Sequence, residues 1–371
     1  SVAYSMNRTE SGLLGPMQGW VIGRFGPRAV LRFGTLVLLA GFIFFSRVST
    51  PVTFILAYFV ISCGAGLAGY LTITTETARW FRTKRSSALS LTSVGIAAGG
   101  IASPVLVWAL DRFGWRATAV ISGIVLTVLV FGLAPLYGSS PEERGEPLDG
   151  WSAVPDVDAA PVHVPPAFTP GQALRTGAFW YLAFGHATAL LVVSSMIAHL
   201  PLYLTTEQGF SLSGAALVVA GLGVLQIAGM MLGGWLGDRV DKRWLCTGAM
   251  FGHVGGLVVL TLATDRWMIW AFVLLHGVAW GMRAPLMIAM RADYFGIGVL
   301  AHIQGYTSIV LMVAMIGGPL FAGALADLTG SFRIGFLVLA ALALTGSALF
   351  ALARPPRAPE PEPELLPVGS P

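Results

Sequence analysis

The chain is poor in charge. Only 11% of its 371 residues are Asp, Glu, Lys or Arg, against 55% hydrophobic residues, and mean hydropathy is +0.76. A soluble protein of this length needs far more charge to cover its surface, so much of the apolar surface faces lipid. Cysteine is nearly absent. Cys63 and Cys246 lie in apolar runs and read as packing residues, which excludes a disulfide framework. No metal-ligand spacing occurs, no phosphate loop follows a strand, and no nucleophile or acid–base cluster stands in an apolar run. Cofactors, metals, ATP driving and an enzyme are therefore not expected. The net charge of +4 is spread over short turns rather than one patch, which argues against nucleic acid as a partner. No basic-then-apolar leader precedes the first apolar run, so no signal peptide is expected.

Long apolar runs are what the chain has. About 20 mostly apolar residues cross a bilayer as a helix. Eleven such runs are read: 1–22, 29–46, 52–76, 86–110, 116–137, 179–204, 211–236, 244–264, 267–290, 302–326 and 334–353. They are continuous rather than alternating, and rich in Gly and Ala, which suits close helix packing and not a membrane barrel. Residues 138–176 break the pattern with seven prolines and six acids, and read as a flexible linker. The expected organisation is a helical half over 1–137, the linker, a second half over 177–353, and a disordered tail over 354–371. Alternate turns carry eleven basic residues against five, which puts the richer set, the linker and the tail in the cytoplasm.

The two halves repeat. "GWVIGRFGPR" (Gly19–Arg28) answers "GGWLGDRVDKR" (Gly233–Arg243), "ARWF" (Ala78–Phe81) answers "ADYF" (Ala292–Phe295), and "LDRFGWR" (Leu110–Arg116) answers "ADLTGSFR" (Ala326–Arg333). The offset stays at 214–216 residues throughout. By that offset, run 179–204 has its partner before Ser1, so a first helix of a six-plus-six arrangement is expected to be missing from the sequence.

Six-helix halves around a cytoplasmic linker resemble the major facilitator superfamily. Its signature turn is Gly-x-x-x-Asp-Arg-x-Gly followed by basic residues. Gly234, Asp238, Arg239, Lys242 and Arg243 match it, with Asp241 in place of the second Gly. Gly19, Arg24, Gly26 and Arg28 match in the first half, with Gly23 in place of the Asp. "WFRTKRSSALSLTSVGIAAGG" (Trp80–Gly100) is similar to the monocarboxylate and oxalate/formate branch through Phe81, Lys84, Arg85, Ala88, Gly95 and Gly99. Ser87 and Ser90 stand where that branch prefers Leu and Gly. The resemblance implies an all-α membrane fold with a central cavity. It also implies a cytoplasmic gate in which the turn's Asp meets an Arg and a helix N-terminus, here Asp238 with Arg291 and the helix starting near Ser86.

Each ionisable group within a span costs about 2.5–3.5 kcal/mol on insertion scales and needs a reason. Arg283 lies eight residues before Arg291, about 12 Å inside the boundary at 1.5 Å per residue. His276 and Trp280 share its helix face. The resemblance places this tenth helix on the cavity, where a guanidinium grips a carboxylate through two parallel bonds. The plainer alternative is an Arg satisfied by backbone carbonyls near Pro285. Arg8 either adds a second anion-binding group or snorkels outward. Glu10 is the candidate proton carrier. Gln226, Gln304 and Tyr306 are candidate polar cavity groups, Glu76 is read as a local partner of Arg79, and His253 as peripheral.

The expected function is secondary active transport of a small organic anion, a mono- or dicarboxylate, coupled to a proton or an exchanged anion. A drug-efflux pump and a transport-inactive sensor of the same fold are the alternatives. A monomer in a bacterial inner membrane is expected.

Overall fold

The computed structural model describes residues 2–98, 103–133, 141, 145, 148–150 and 168–357; the side chains of residues 2–12, 96–98, 103 and 104 are outside that description. Arg8 and Glu10 therefore contribute backbone only, and Gly99 and the tail from residue 358 lie outside the described residues.

The described residues are helical, with no strand among them. The first half comprises α1 (Val2–Phe25), α2 (Pro27–Phe45), α3 (Pro51–Leu67), α4 (Tyr70–Trp80), α5 (Arg85–Ala98) and α6 (Ser103–Leu133). After the linker come the short α7 (Pro170–Leu174), then α8 (Gly177–Thr206), α9 (Leu212–Gly237), α10 (Lys242–Thr261), α11 (Arg266–Phe295), α12 (Leu300–Thr329) and α13 (Phe332–Leu352). Among the described residues, nine stretches are long and apolar enough to cross a membrane. Most apolar side chains on their outer faces are exposed, as lipid-facing helices require.

The repeat is visible in three dimensions. Pro51–Trp80 and Arg266–Phe295 are 30-residue stretches one offset apart. The first is interrupted at Gly69, and the second carries Pro285 at the matching depth. A buried Pro removes a helix hydrogen bond, so both halves loosen the backbone at the same level by different means. Gly114 (φ 73°) breaks α6 where Gly330 (φ 72°) ends α12, and this left-handed turn explains why both repeats keep a Gly there. The signature turn differs. Gly26 enters α2 at φ 77°, whereas its counterpart Asp241 has φ −55° and caps α10, accepting from Arg243 N at 2.8 Å. Asp replaces Gly there because the second turn no longer needs a left-handed residue.

Within the second half, α9 and α11 lie closest. A Cβ added to Gly281 falls 1.9 Å from the Gln226 carbonyl oxygen, and one on Gly229 falls 2.3 Å from that of Val278. The halves meet through α1 against α12, and α5 against α9 and α11. The linker, read as flexible throughout, ends in structure. Thr169 and Gln172 form a capping box on α7 (2.8 and 3.3 Å), and Phe168 packs edge-on against Phe295 with centroids 5.6 Å apart.

The α9–α11 contact is testable. Gly281→Ala is expected to cost about 1–3 kcal/mol, as overpacked interiors do, and to lower the thermal midpoint of the detergent-solubilised protein. Gly223→Ala on the same helix pair, where a Cβ meets nothing within 4 Å, does not lower the midpoint, since an unhindered Ala favours the helix.

Candidate functional site

Arg283 is fully buried at the middle of α11, and none of its three guanidinium nitrogens has a hydrogen-bond partner among the described residues. Backbone carbonyls do not satisfy it. His276, two turns earlier on the same face, is also fully buried, and Trp280 between them is half-buried, its ring 6.4 Å from that of His276. His253 of α10, read as peripheral, is in the interior: its Nδ1 lies 3.0 Å from Nδ1 of His276. Sequence spacing does not reveal this pair, because its members sit on different helices.

Opposite Arg283 in the repeat stands the interruption of the first half. Tyr70 opens α4 there, keeps 38% exposure, and its hydroxyl lies 3.3 Å from Ser93 Oγ. Arg291 points inward too, 4% exposed, with Nη2 at 3.1 Å from His186 Nδ1. Gln304 donates to Thr75 Oγ1 across the halves at 3.2 Å. Tyr306 is half-buried against the core of the second half, and Gln226 is half-buried with its carbonyl against Gly281. Glu76, 2% exposed, accepts from Trp80 Nε1 at 3.0 Å and lies 3.8 Å from Arg79. The structure thus joins Arg291 to His186 and Tyr70 to Ser93, with Arg283 eight residues before Arg291 on the same helix, and gives the Gln226 side chain no hydrogen bond to them among the described residues.

At the linker-side end, the N-terminus of α5 gathers acids from elsewhere. Asp238 accepts from Ser86 N at 2.8 Å and Ser87 N at 3.1 Å, so a second-half carboxylate caps a first-half helix. The expected Arg291 partner is not there. Both Asp238 oxygens are taken by α5 amides, and Arg291 faces His186. Asp293, which the sequence reading passed over, takes the ionic role: it pairs with Arg85 of α5 and, at 3.0 Å, with Lys242 of α10. Arg239 stacks on Trp235 (4.7 Å) and donates to the Trp235 carbonyl, while Arg243 lies over Trp244 at 4.8 Å.

Among the described residues, the counterpart contact of α1 with α12 has no acid cap and no ion pair. Gly19 lies against Ala301, and Gly23, in the place of the acid, lies under the His302 ring. Arg24 is exposed and Arg28 half-buried. His302 stands one offset from Ser87, so a side chain fills the space that an acid occupies in the other half.

The linker contributes a third acid. Asp149, at φ 63°, accepts from the amides of Arg82 (2.9 Å), Thr83 (3.0 Å) and Lys84 (3.3 Å) and from the Thr83 hydroxyl (2.7 Å). Partial burial pushes its carboxyl up, but the Thr83 hydroxyl and the three amides outweigh that and hold it below the usual carboxylate range.

With this geometry in hand, the chain's relatives are informative. The Major Facilitator Superfamily model matches residues 3–282 and 203–367. The chain belongs to that superfamily. Among its relatives is monocarboxylate transporter 11 of Mus musculus, 30% identical over 347 residues, covering 88% of this chain and 72% of that protein. The oxalate:formate antiporter of Oxalobacter formigenes is 26% identical over 365 residues, covering 95% of this chain and 80% of its own. The human organic anion transporter MFSD10 shares the fold, with a TM-score of 0.74 at 16% identity, over 94% of this chain and 82% of that one. These relatives are transporters, not enzymes.

Two outcomes follow from these contacts. In a background lacking Cys63 and Cys246, a cysteine at Ser90, 1% exposed beneath Gly234, reports opening by thiol labelling. Asp238→Asn is expected to raise its labelling about twofold to tenfold, the size of a lost charge at a helix N-terminus. Gly23→Asp, whose Cβ falls 2.5 Å from His302 Cε1, displaces the ring and raises labelling as well; unchanged labelling in both variants shows that these contacts do not hold the two halves together. The second outcome concerns Asp149. A depressed carboxyl gives its full contribution above the ordinary value of about 3.9 and loses it only as pH falls through the lowered one. Hydrogen exchange at Arg82, Thr83 and Lys84, corrected for intrinsic rates, is therefore flat from pH 8 to pH 5, and Asp149→Asn loses protection by about fivefold or more at every pH.

Proposed function

We propose that the chain is a secondary active transporter that moves a small organic anion, a mono- or dicarboxylate, by alternating access. The observation that carries this reading is Arg283: a guanidinium that keeps its charge, fully buried in α11, with no partner for any of its nitrogens among the described residues. Such a group is costly in a span unless something negative visits it. A carboxylate matches its two parallel donors. Arg291 adds a second positive charge to the surroundings, and His186 and Tyr70 are neutral hydrogen-bonding groups beside it. Relatives that carry monocarboxylates, oxalate and formate support the same substrate class. On this reading the linker side faces the cytoplasm, and the contacts of α5 with α9 and α11 are the closed cytoplasmic gate. Arg8 and Glu10 on α1 remain proposed contributors, as second anion group and proton carrier.

Uptake of labelled lactate, formate and oxalate into proteoliposomes tests it. Arg283→Ala is expected to reduce uptake at least a hundredfold, and Arg283→Lys to retain a minor part, since a point charge loses the bidentate geometry. Uptake indifferent to Arg283→Ala removes Arg283 from the site.

A further inference from the structure

A second buried polar cluster is left without an assigned task. His253 and His276 are both fully buried, their ring centroids are 4.6 Å apart, and their Nδ1 atoms are 3.0 Å apart. One Nδ1 must carry a proton and the other a lone pair. The donor ring then has a bare Nε2, and the acceptor ring, if neutral, has an Nε2–H. Both Nε2 atoms are buried with no partner among the described residues. A pair kept only for packing has no reason to hide two such atoms, each of which costs free energy unpaired.

The neighbours decide what an added proton meets. On α11, Arg283 is the charged group that acts on both rings, with Phe272 and Trp280 as aromatic walls. On α10, Cys246 lies two turns away, its Sγ 3.8 Å from Met290 Sδ. α9 carries no titratable side chain, and α13 carries Arg333 only, at its far end. On α8, His186 is engaged with Arg291, His199 with the Pro319 carbonyl, and Tyr203 with the Leu260 carbonyl. An extra proton on the pair faces the cost of burial first and repulsion from Arg283 after it, and an anion on Arg283 removes the second of these.

We propose that the His253–His276 pair is the proton-loading site of the transporter, loaded when an anion occupies Arg283 and emptied when it leaves. This rests on the reading of Arg283 as the anion site. The proton adds to the bare Nε2, turning the neutral pair into a singly charged one, and no other bond changes. Linkage makes the coupling reciprocal: the anion raises proton affinity by the factor by which the proton raises anion affinity.

The intact chain in proteoliposomes separates the two readings, with lactate, formate and oxalate as probes. In His253→Gln and His276→Gln, anion accumulation driven by a pH gradient is expected to fall at least tenfold. In His253→Gln, on the neighbouring helix, exchange of labelled for unlabelled anion at equal pH stays within about threefold of wild type. Arg283→Ala loses both activities. Wild-type protein in unbuffered detergent is also expected to take up about one proton per anion bound, read by a pH-indicator dye, a measurement that needs no variant to fold. Histidine variants that accumulate anion down a pH gradient as wild type does, or anion binding without proton uptake, overturn the proposal while leaving Arg283 in place. Uptake untouched by Arg283→Ala overturns the anion site and this proposal with it.

Discussion

The first amides of α5 are the constraint around which the linker-side end is built. A helix cannot satisfy its own first N–H groups, and this helix begins where two halves of a bundle and a linker converge. The chain has only 18 acids, yet two of them, Asp149 and Asp238, accept from five amides between Arg82 and Ser87. A third, Asp293, pairs with Arg85. These acids come from the linker, the end of α9 and the end of α11. Three separate stretches are thus tied to one helix start, and separating α5 from the second half breaks the Asp238 and Asp293 contacts together.

The duplicated half shows that such ties are chosen, not imposed by the fold. α1 meets α12 through the same backbone geometry by which α9 meets α5, with small residues at the matching positions, Gly19 and Gly234. Where the second half has Asp238 the first has Gly23, and where α5 has Ser87 α12 has His302. Arg79 stands one repeat from Asp293, and it lies beside Glu76 within its own helix. Among the described residues, one seam is therefore electrostatic and the other steric. An electrostatic seam opens at the cost of stripping carboxylates from amides, while a steric seam slides.

The sequence made the helices and the repeat legible because the bilayer leaves little freedom: apolar length fixes the spans, and turn residues fix where they end. It also singled out Arg283, since an isolated charge in a span is visible without knowing its surroundings. What it could not show depends on which helix faces which. The His253–His276 pair, the Asp293 link to Arg85 and the turn of Arg291 toward His186 all join residues from different helices at separations that follow no period. Asp149 was hidden for another reason. It lies in a stretch whose prolines and acids read as linker, and only its contact with the α4–α5 turn distinguishes it from the acids around it.

Burial of an uncompensated guanidinium has a consequence for alternation itself. On the proposed reading, the empty carrier holds the charge of Arg283 in the interior with no counter-charge beside it among the described residues, and Arg291, eight residues on, adds a second buried charge. Closing both ends around that charge is costly, because sealing the cavity removes the water that screens it. An anion removes the penalty in the sealed state more than in an open one, where water already screens. The anion therefore favours passage through the sealed state, which is the differential interaction a transported ligand must have to drive a conformational change. A neutral molecule of equal size fills the same space and leaves the penalty standing. Selectivity for anions then arises in the transition between open states as much as in binding, and the unpartnered arginine is its source.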